Sequence, residues 1–182
     1  MTVWYLMRAS GVVSLLLLTG VFVLGIATTK RWRTARMPGF AAVALHRSIS
    51  LLSVVFLAVH VITAVLDPYA VVSIASVFVP FVAGRSAFWV GLGALSLDLV
   101  AALIVTSLLR HRLSLRAWRT VHWIAYLAWP LAIGHSLGIG SDTATLWLRA
   151  LAGGCVALVA GAVALRVWGS GGNAKRLEPQ PV

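Results

Sequence analysis

Cysteine is almost missing from this chain. Cys155, set within an apolar run, is the only one, which excludes an intrachain disulfide, a CxxC redox pair, a CxxCH attachment motif and a cysteine zinc site. Any cofactor must be held by other side chains. Charge is scarce as well: 10% of the 182 residues are charged against 60% hydrophobic, and the mean hydropathy is +0.97. A water-soluble domain of this length cannot hide so much apolar surface in one core, so lipid is the expected solvent. Asp and Glu together number four against fifteen Lys and Arg, for a net charge of +11. That balance does not point to nucleic acid, because the basic residues gather in short loops between long apolar runs, as the positive-inside rule expects. A dinucleotide fingerprint is also lacking. Gly91-Leu92-Gly93 and Gly138-Ile139-Gly140 have neither the third glycine nor a preceding strand, and they read as turn or packing glycines.

A membrane-crossing helix needs about 20 apolar residues, and five runs qualify: Val3 to Thr28, Ala41 to Leu66, Ser86 to Leu109, Arg119 to Leu137 and Thr143 to Trp168. The expected fold is an all-α integral membrane protein of about five transmembrane helices, forming one domain over residues 1–168. The first run is longer than a signal-peptide core, and its basic cluster (Lys30, Arg31, Arg33, Arg36) follows it instead of preceding it, so it reads as a retained helix. The connection Lys30 to Phe40 and the connection Arg110 to Trp118, with Arg110, Arg112 and Arg116, are basic and therefore cytoplasmic, whereas Asp67 to Arg85 and Gly138 to Asp142 are not. The N-terminus then lies outside a multi-pass plasma-membrane protein. The tail, residues 169–182 with Lys175 and Arg176, lies inside and is expected to be disordered. Pro68 to Gly84, apolar but short and interrupted by Pro80, reads as a half-helix at the outer surface that caps what lies beneath. Trp4, Trp89 and Trp147 at the outer ends, and Trp32, Trp118 and Trp168 at the inner ends, take the interfacial places of amphipathic rings. Gly153, Gly154 and Gly161, with Ala150 and Ala157, put small residues on the last helix, suited either to internal packing or to a partner.

Four of the five histidines form two spaced pairs, His46 and His60 on the second helix, His122 and His135 on the fourth. Both helices run from inside to outside, so His46 and His122 share an inner level while His60 and His135 share an outer one. The fourteen-residue step spans roughly 21 Å and the thirteen-residue step roughly 20 Å. A haem sandwiched between facing helices needs one neutral imidazole from each at one depth, and the sequence offers that arrangement twice. With both axial positions filled, the fitting role is single-electron transfer. Helical phase supports the first pair, because fourteen steps of about 100° return to within about 40° of one face. Thirteen steps leave His122 and His135 about 140° apart on an ideal helix, which demands a distortion, for which Pro130 and Gly134 lie at hand.

LHRSISLLSVVFLAVH (residues 45–60), the DPY and VPFVAGRSAFWVGLGAL stretches (67–69 and 79–95) and WRTVHWIAYLAWPLAIGH (118–135) together resemble the ferric reductase-like transmembrane domain family. That family includes the membrane part of ferric reductases and NADPH oxidases. The resemblance implies two stacked b-type haems, the inner held by His46 and His122 and the outer by His60 and His135, and the thirteen-step spacing occurs in the family as well. It further implies electron transfer from a cytoplasmic donor to an extracytoplasmic acceptor. The chain departs from larger members in having five helices where six are common, and in offering no flavin or NAD(P) site. The donor is then a separate flavoprotein or a membrane quinol, and the acceptor stays open among ferric iron, a flavoprotein and a protein such as a sulfoxide reductase.

Arginine partners for the anionic haem propionates are expected at Arg47 and Arg119 inside and at Arg8, Arg85 and Arg149 outside, with snorkelling to headgroups the competing role. Asp98, near the centre of the third run, is costly there unless neutral or paired. It is open to a proton relay, a quinone or haem contact, or a structural hydrogen bond. Trp129 and Phe56 fall between the two histidine levels, on the electron path or simply in the core. His111, between Arg110 and Arg112, reads as a solvated loop residue. Two alternatives accompany the haem reading: a quinol-linked membrane anchor subunit of a reductase, and a haem-free transporter or scaffold using its histidines for proton or metal movement.

Overall fold

The computed structural model describes residues 1–29, 39–139 and 144–174. The basic cluster from Lys30 to Arg36, Trp32, the Gly140 to Asp142 turn and the tail residues Lys175 and Arg176 lie outside the described residues. The regular elements within them are all helical: α1 (Thr2–Thr29), α2 (Gly39–Leu66), α3 (Ile74–Phe78), α4 (Ala87–Leu108), α5 (Leu115–His122), α6 (Ala125–Ile139) and α7 (Leu146–Ala174). Helices α1, α2, α4 and α7 are each long and apolar enough to cross a membrane, and they coincide with four of the five apolar runs. The remaining run is split. It forms α5 and α6, joined by a turn at Trp123 and Ile124. The chain is thus an all-α integral membrane protein whose fourth run is a broken helix. Gly169 to Ala174, expected in a disordered tail, instead continue α7.

Apolar side chains cover α1, α2, α4 and α7 on most sides, which is the composition of a segment surrounded by lipid. Hydroxyls that would be costly there bond back to their own helix. Ser10 donates to the Leu6 carbonyl (2.7 Å), Thr19 to that of Leu15 (2.8 Å) and Thr63 to that of Val59 (2.6 Å). Ser114 caps α5 by accepting from the Ala117 N–H at 3.2 Å.

The packing is built from two antiparallel hairpins, α1 against α2 and α4 against α6, with α1 also touching α6 and α7. Between the hairpins lies a core of Leu15, Trp129, Ile133, Cys155 and Val159. Trp129 is its keystone: the indole N–H donates to Thr19 Oγ1 at 2.9 Å, and its ring leans on Phe22 with centroids 5.7 Å apart. Leu148, Ala152, Cys155 and Val159, spaced by three and four residues, form the buried face of α7. Gly153, Gly154 and Gly161 have open space where a Cβ would stand, so among the described residues they do not serve internal close approach. The histidine-bearing helices α2 and α6 are not themselves closely packed along their length.

Trp129→Ala should lower the apparent stability in detergent by about 3–5 kcal/mol, and Trp129→Phe by about 1 kcal/mol for the lost hydrogen bond. Thermal unfolding followed by circular dichroism reads both.

Candidate functional site

His60 and His135 come together from α2 and α6. Their ring centroids are 6.3 Å apart and the rings are nearly perpendicular, at 77°. His46 and His122 lie within electrostatic reach of one another at the other level. Thus each level holds one histidine from α2 and one from the α5–α6 segment.

Three of the four imidazoles are tied to backbone. His60 Nδ1 is 2.9 Å from the Met7 carbonyl oxygen, His46 Nδ1 is 3.2 Å from that of Val21, and His135 Nδ1 is 2.8 Å from that of Trp89. A carbonyl can only accept, so Nδ1 carries the proton in each and Nε2 keeps its lone pair. Within a helix each carbonyl already accepts one N–H from four residues ahead, and the side chain at that position crowds the second lone pair. In all three cases the residue four ahead is glycine: Gly11 after Met7, Gly25 after Val21, Gly93 after Trp89. A Cβ on Gly11 would stand 2.9 Å from His60, one on Gly93 2.6 Å from His135, and one on Gly25 3.5 Å from His46. These carbonyls and glycines were not singled out from sequence, where Gly93 read only as a turn or packing residue. One signal was available: Gly11 and Gly25 are spaced by the same fourteen residues as His46 and His60.

His122 differs. Its Nδ1 is buried without a hydrogen-bond partner, as is Trp118 Nε1 beside it, and the two rings stack at 4.7 Å and 24°. Arg110 lies over the far-reaching indole at 5.2 Å.

The phase of His122 and His135 is set by the turn between α5 and α6. Trp123, Ile124, Tyr126 and Leu127 each donate to the carbonyl three residues back, at 2.9–3.2 Å. About five steps at roughly 120° instead of roughly 100° add about 100°, which brings the two histidines to within about 40° of one face. The distortion expected at Pro130 and Gly134 is therefore centred seven residues earlier. Pro130 sits inside α6 and contributes only by withholding a donor from the Tyr126 carbonyl.

A cavity of about 1200 Å³ opens around His60 and His135, lined also by Gly11, Gly93, Arg8, Arg85 and Ser136. The segment between α2 and α4 closes over it with Tyr69, Val72, Ser76 and Val77, holding Val71, Phe81 and Ser86 at positive φ. Of the expected propionate partners, Arg8 (over the Trp4 ring at 4.1 Å) and Arg85 reach this cavity. Arg47, Arg119 and Arg149 are exposed, and none of them lines it. Asp98 is half-buried on α4 and is not part of the lining either. His111 is exposed in the turn after α4. Trp129 belongs to the core described above, while Phe56 is half-buried on α2. The tryptophans taken as lipid anchors do more than that: Trp4 and Trp147 line the cavity, Trp89 holds His135 and Trp118 stacks on His122.

The chain matches the family described as ferric reductase like transmembrane component over residues 10–133, well over half its length. The chain belongs to this family. The matched segment contains His46, His60 and His122 and stops two residues before His135. Neither a curated protein nor a solved structure matches it significantly. As a member of the ferric reductase-like family, the chain is a multi-pass membrane component of transmembrane oxidoreductase type.

Gly93→Ala must push the His135 ring off the Trp89 carbonyl and should cost about 1–3 kcal/mol by overpacking, whereas Gly25→Ala makes only ordinary contact and should stay within about 1 kcal/mol. Unfolding midpoints of the two variants in detergent give the comparison.

Proposed function

We propose that this protein is a dihaem cytochrome b that conducts electrons across the plasma membrane, with one haem between His60 and His135 and a second between His46 and His122. The observation that carries the reading is the tethering of His46, His60 and His135 by Nδ1, which leaves each a neutral imidazole whose Nε2 keeps its lone pair. This is how a metal-ligating histidine is ordinarily held.

The residues fit the group. Two imidazoles that would hold one iron between them, each through Nε2, need their centroids roughly 6 Å apart. The His60–His135 separation has that value. The adjoining apolar cavity and the glycines at its wall give a flat macrocycle room. A bis-histidine b haem supplies a one-electron Fe(III)/Fe(II) couple with no vacant coordination site.

The chain's own residues then have distinct tasks. His60 and His135 hold one group and His46 and His122 the other, at levels roughly 20 Å apart along the helices. The cap between α2 and α4 and the lipid-facing side chains keep bulk water from the His60–His135 level. Arg8 and Arg85 offer guanidinium partners to propionates there, and Arg47 and Arg119 do so at the other level, with Arg149 at the start of α7 an added outer cation. The N-terminus and the His60–His135 level face outward, and the electrons come from a separate flavoprotein or a membrane quinol at the cytoplasmic side. If quinol is the donor through a site that uses Asp98, Asp98→Asn should abolish quinol-driven reduction of the haem; unchanged reduction in that variant counts against that version.

Purified protein should contain two b haems per chain by pyridine haemochrome and a reduced-minus-oxidised spectrum. His60→Ala and His122→Ala should each lower the content toward one. Colourless protein after expression with ample haem supply would overturn the reading in favour of a transporter or scaffold.

A further inference from the structure

The turn after α4 and the start of α5 bring charge and aromatic rings together at the His46–His122 level. Arg110, Arg112, Arg116 and Arg119 are all exposed there, and no residue of α5 is buried. Asp67 and Asp98 are the only carboxylates among the described residues. Asp67 lies just past the His60 end of α2, and Asp98 is twelve residues before Arg110, roughly 18 Å back along α4. The guanidinium groups therefore face outward with no acidic side chain beside them among the described residues.

A basic loop is what membrane topology alone requires; the stack behind it is not. Arg110 lies over the Trp118 ring at 5.2 Å, and that ring stacks on His122 at 4.7 Å and 24°. The indole Nε1 has no hydrogen-bond partner, so stacking alone sets the ring in place. Both rings are half-buried, and a continuous stack leads from an exposed arginine to an imidazole of the inner pair. Among the described residues, no other histidine of the four carries a stacked aromatic ring.

We infer that this face is the docking surface for an acidic flavoprotein, and that Trp118 passes the partner's electrons to His122. The inference rests on the dihaem reading above and gives the separate donor a place and a charge. A membrane quinol is uncharged and arrives through lipid, so a patch of exposed arginines does nothing for it. Carboxylates of an acidic partner pair with Arg112 and Arg116, which speeds encounter and fixes the orientation over the indole. In the transfer step an anionic flavin hydroquinone on the partner loses one electron and becomes the neutral semiquinone, while the iron between His46 and His122 goes from Fe(III) to Fe(II). Trp118 is a bridge and is neither oxidised nor reduced.

Reduced flavodoxin, a small acidic flavoprotein, is the probe, with uncharged duroquinol as the reference donor. Haem reduction in the purified holoprotein is followed by stopped flow, and binding by the fluorescence anisotropy of labelled flavodoxin. The flavodoxin rate constant should fall steeply as salt is raised, and that of duroquinol should not. The double variant Arg112→Gln, Arg116→Gln should weaken flavodoxin binding at low salt by about tenfold and flatten its salt dependence. Trp118→Leu should bind flavodoxin like wild type yet lose most of the saturating reduction rate, and Trp118→Phe, which keeps a ring against His122, should retain most of it. Haem content and midpoint potentials should be those of wild type throughout. Flavodoxin binding that ignores salt, or that is unchanged in the double variant, overturns the docking surface. Trp118→Leu that is reduced as fast as wild type, or whose potentials move, overturns the electron path. Protein without haem overturns the dihaem reading and the electron path with it, while the anisotropy still decides the docking surface.

Discussion

A helix carbonyl has two lone pairs, and the helix itself uses only one. The arrangement around α2 and α6 depends on the second. Met7, Val21 and Trp89 offer theirs to an imidazole N–H from the neighbouring helix, and glycine four residues on keeps the approach clear. In hydrocarbon, where no water competes, such a bond fixes the ring orientation and its tautomer at once. The close packing of α1 on α2 and of α4 on α6 follows, since the tether and the missing Cβ both require the backbones to approach. The gap between the two hairpins follows as well, because His46, His60 and His135 are each drawn back against the helix that supplies the carbonyl.

The helices were legible in the sequence because their signal, long apolar runs, is local and strong. The four histidines and their two levels were legible for the same reason, through rise per residue alone. What stayed hidden depends on contacts between distant segments. The tethers use backbone atoms of Met7, Val21 and Trp89, whose side chains carry no trace of the task. The break at Trp123 and Ile124 lies in a stretch with no glycine or proline, and the nearest breaker, Pro130, drew attention to the wrong turn. Gly169 to Ala174 read as a tail because three glycines and a serine are poor helix formers, yet α7 carries them along once its apolar face is set.

The overwound turn links local geometry to the proposed electron path. A regular α-helix from Leu115 to Ile139 would aim His122 and His135 at different neighbours and leave only one level with paired imidazoles. The tighter hydrogen bonding from Trp123 to Leu127 restores the shared face. It also separates α5, with its charged residues Arg116 and Arg119, from the apolar α6.

The spacing on α1 has a consequence of its own. Fourteen residues are two heptads, and both α1 and α2 drift by about 40° over that interval relative to a straight helix axis. Because the two run antiparallel and drift alike, Gly11 faces His60 and Gly25 faces His46 along one continuous seam between α1 and α2. What is constrained is therefore the count of residues between the two contacts more than their identity: almost any side chain serves at Met7 or Val21, but one residue added or removed between Gly11 and Gly25 would turn one of the two contacts away from its imidazole.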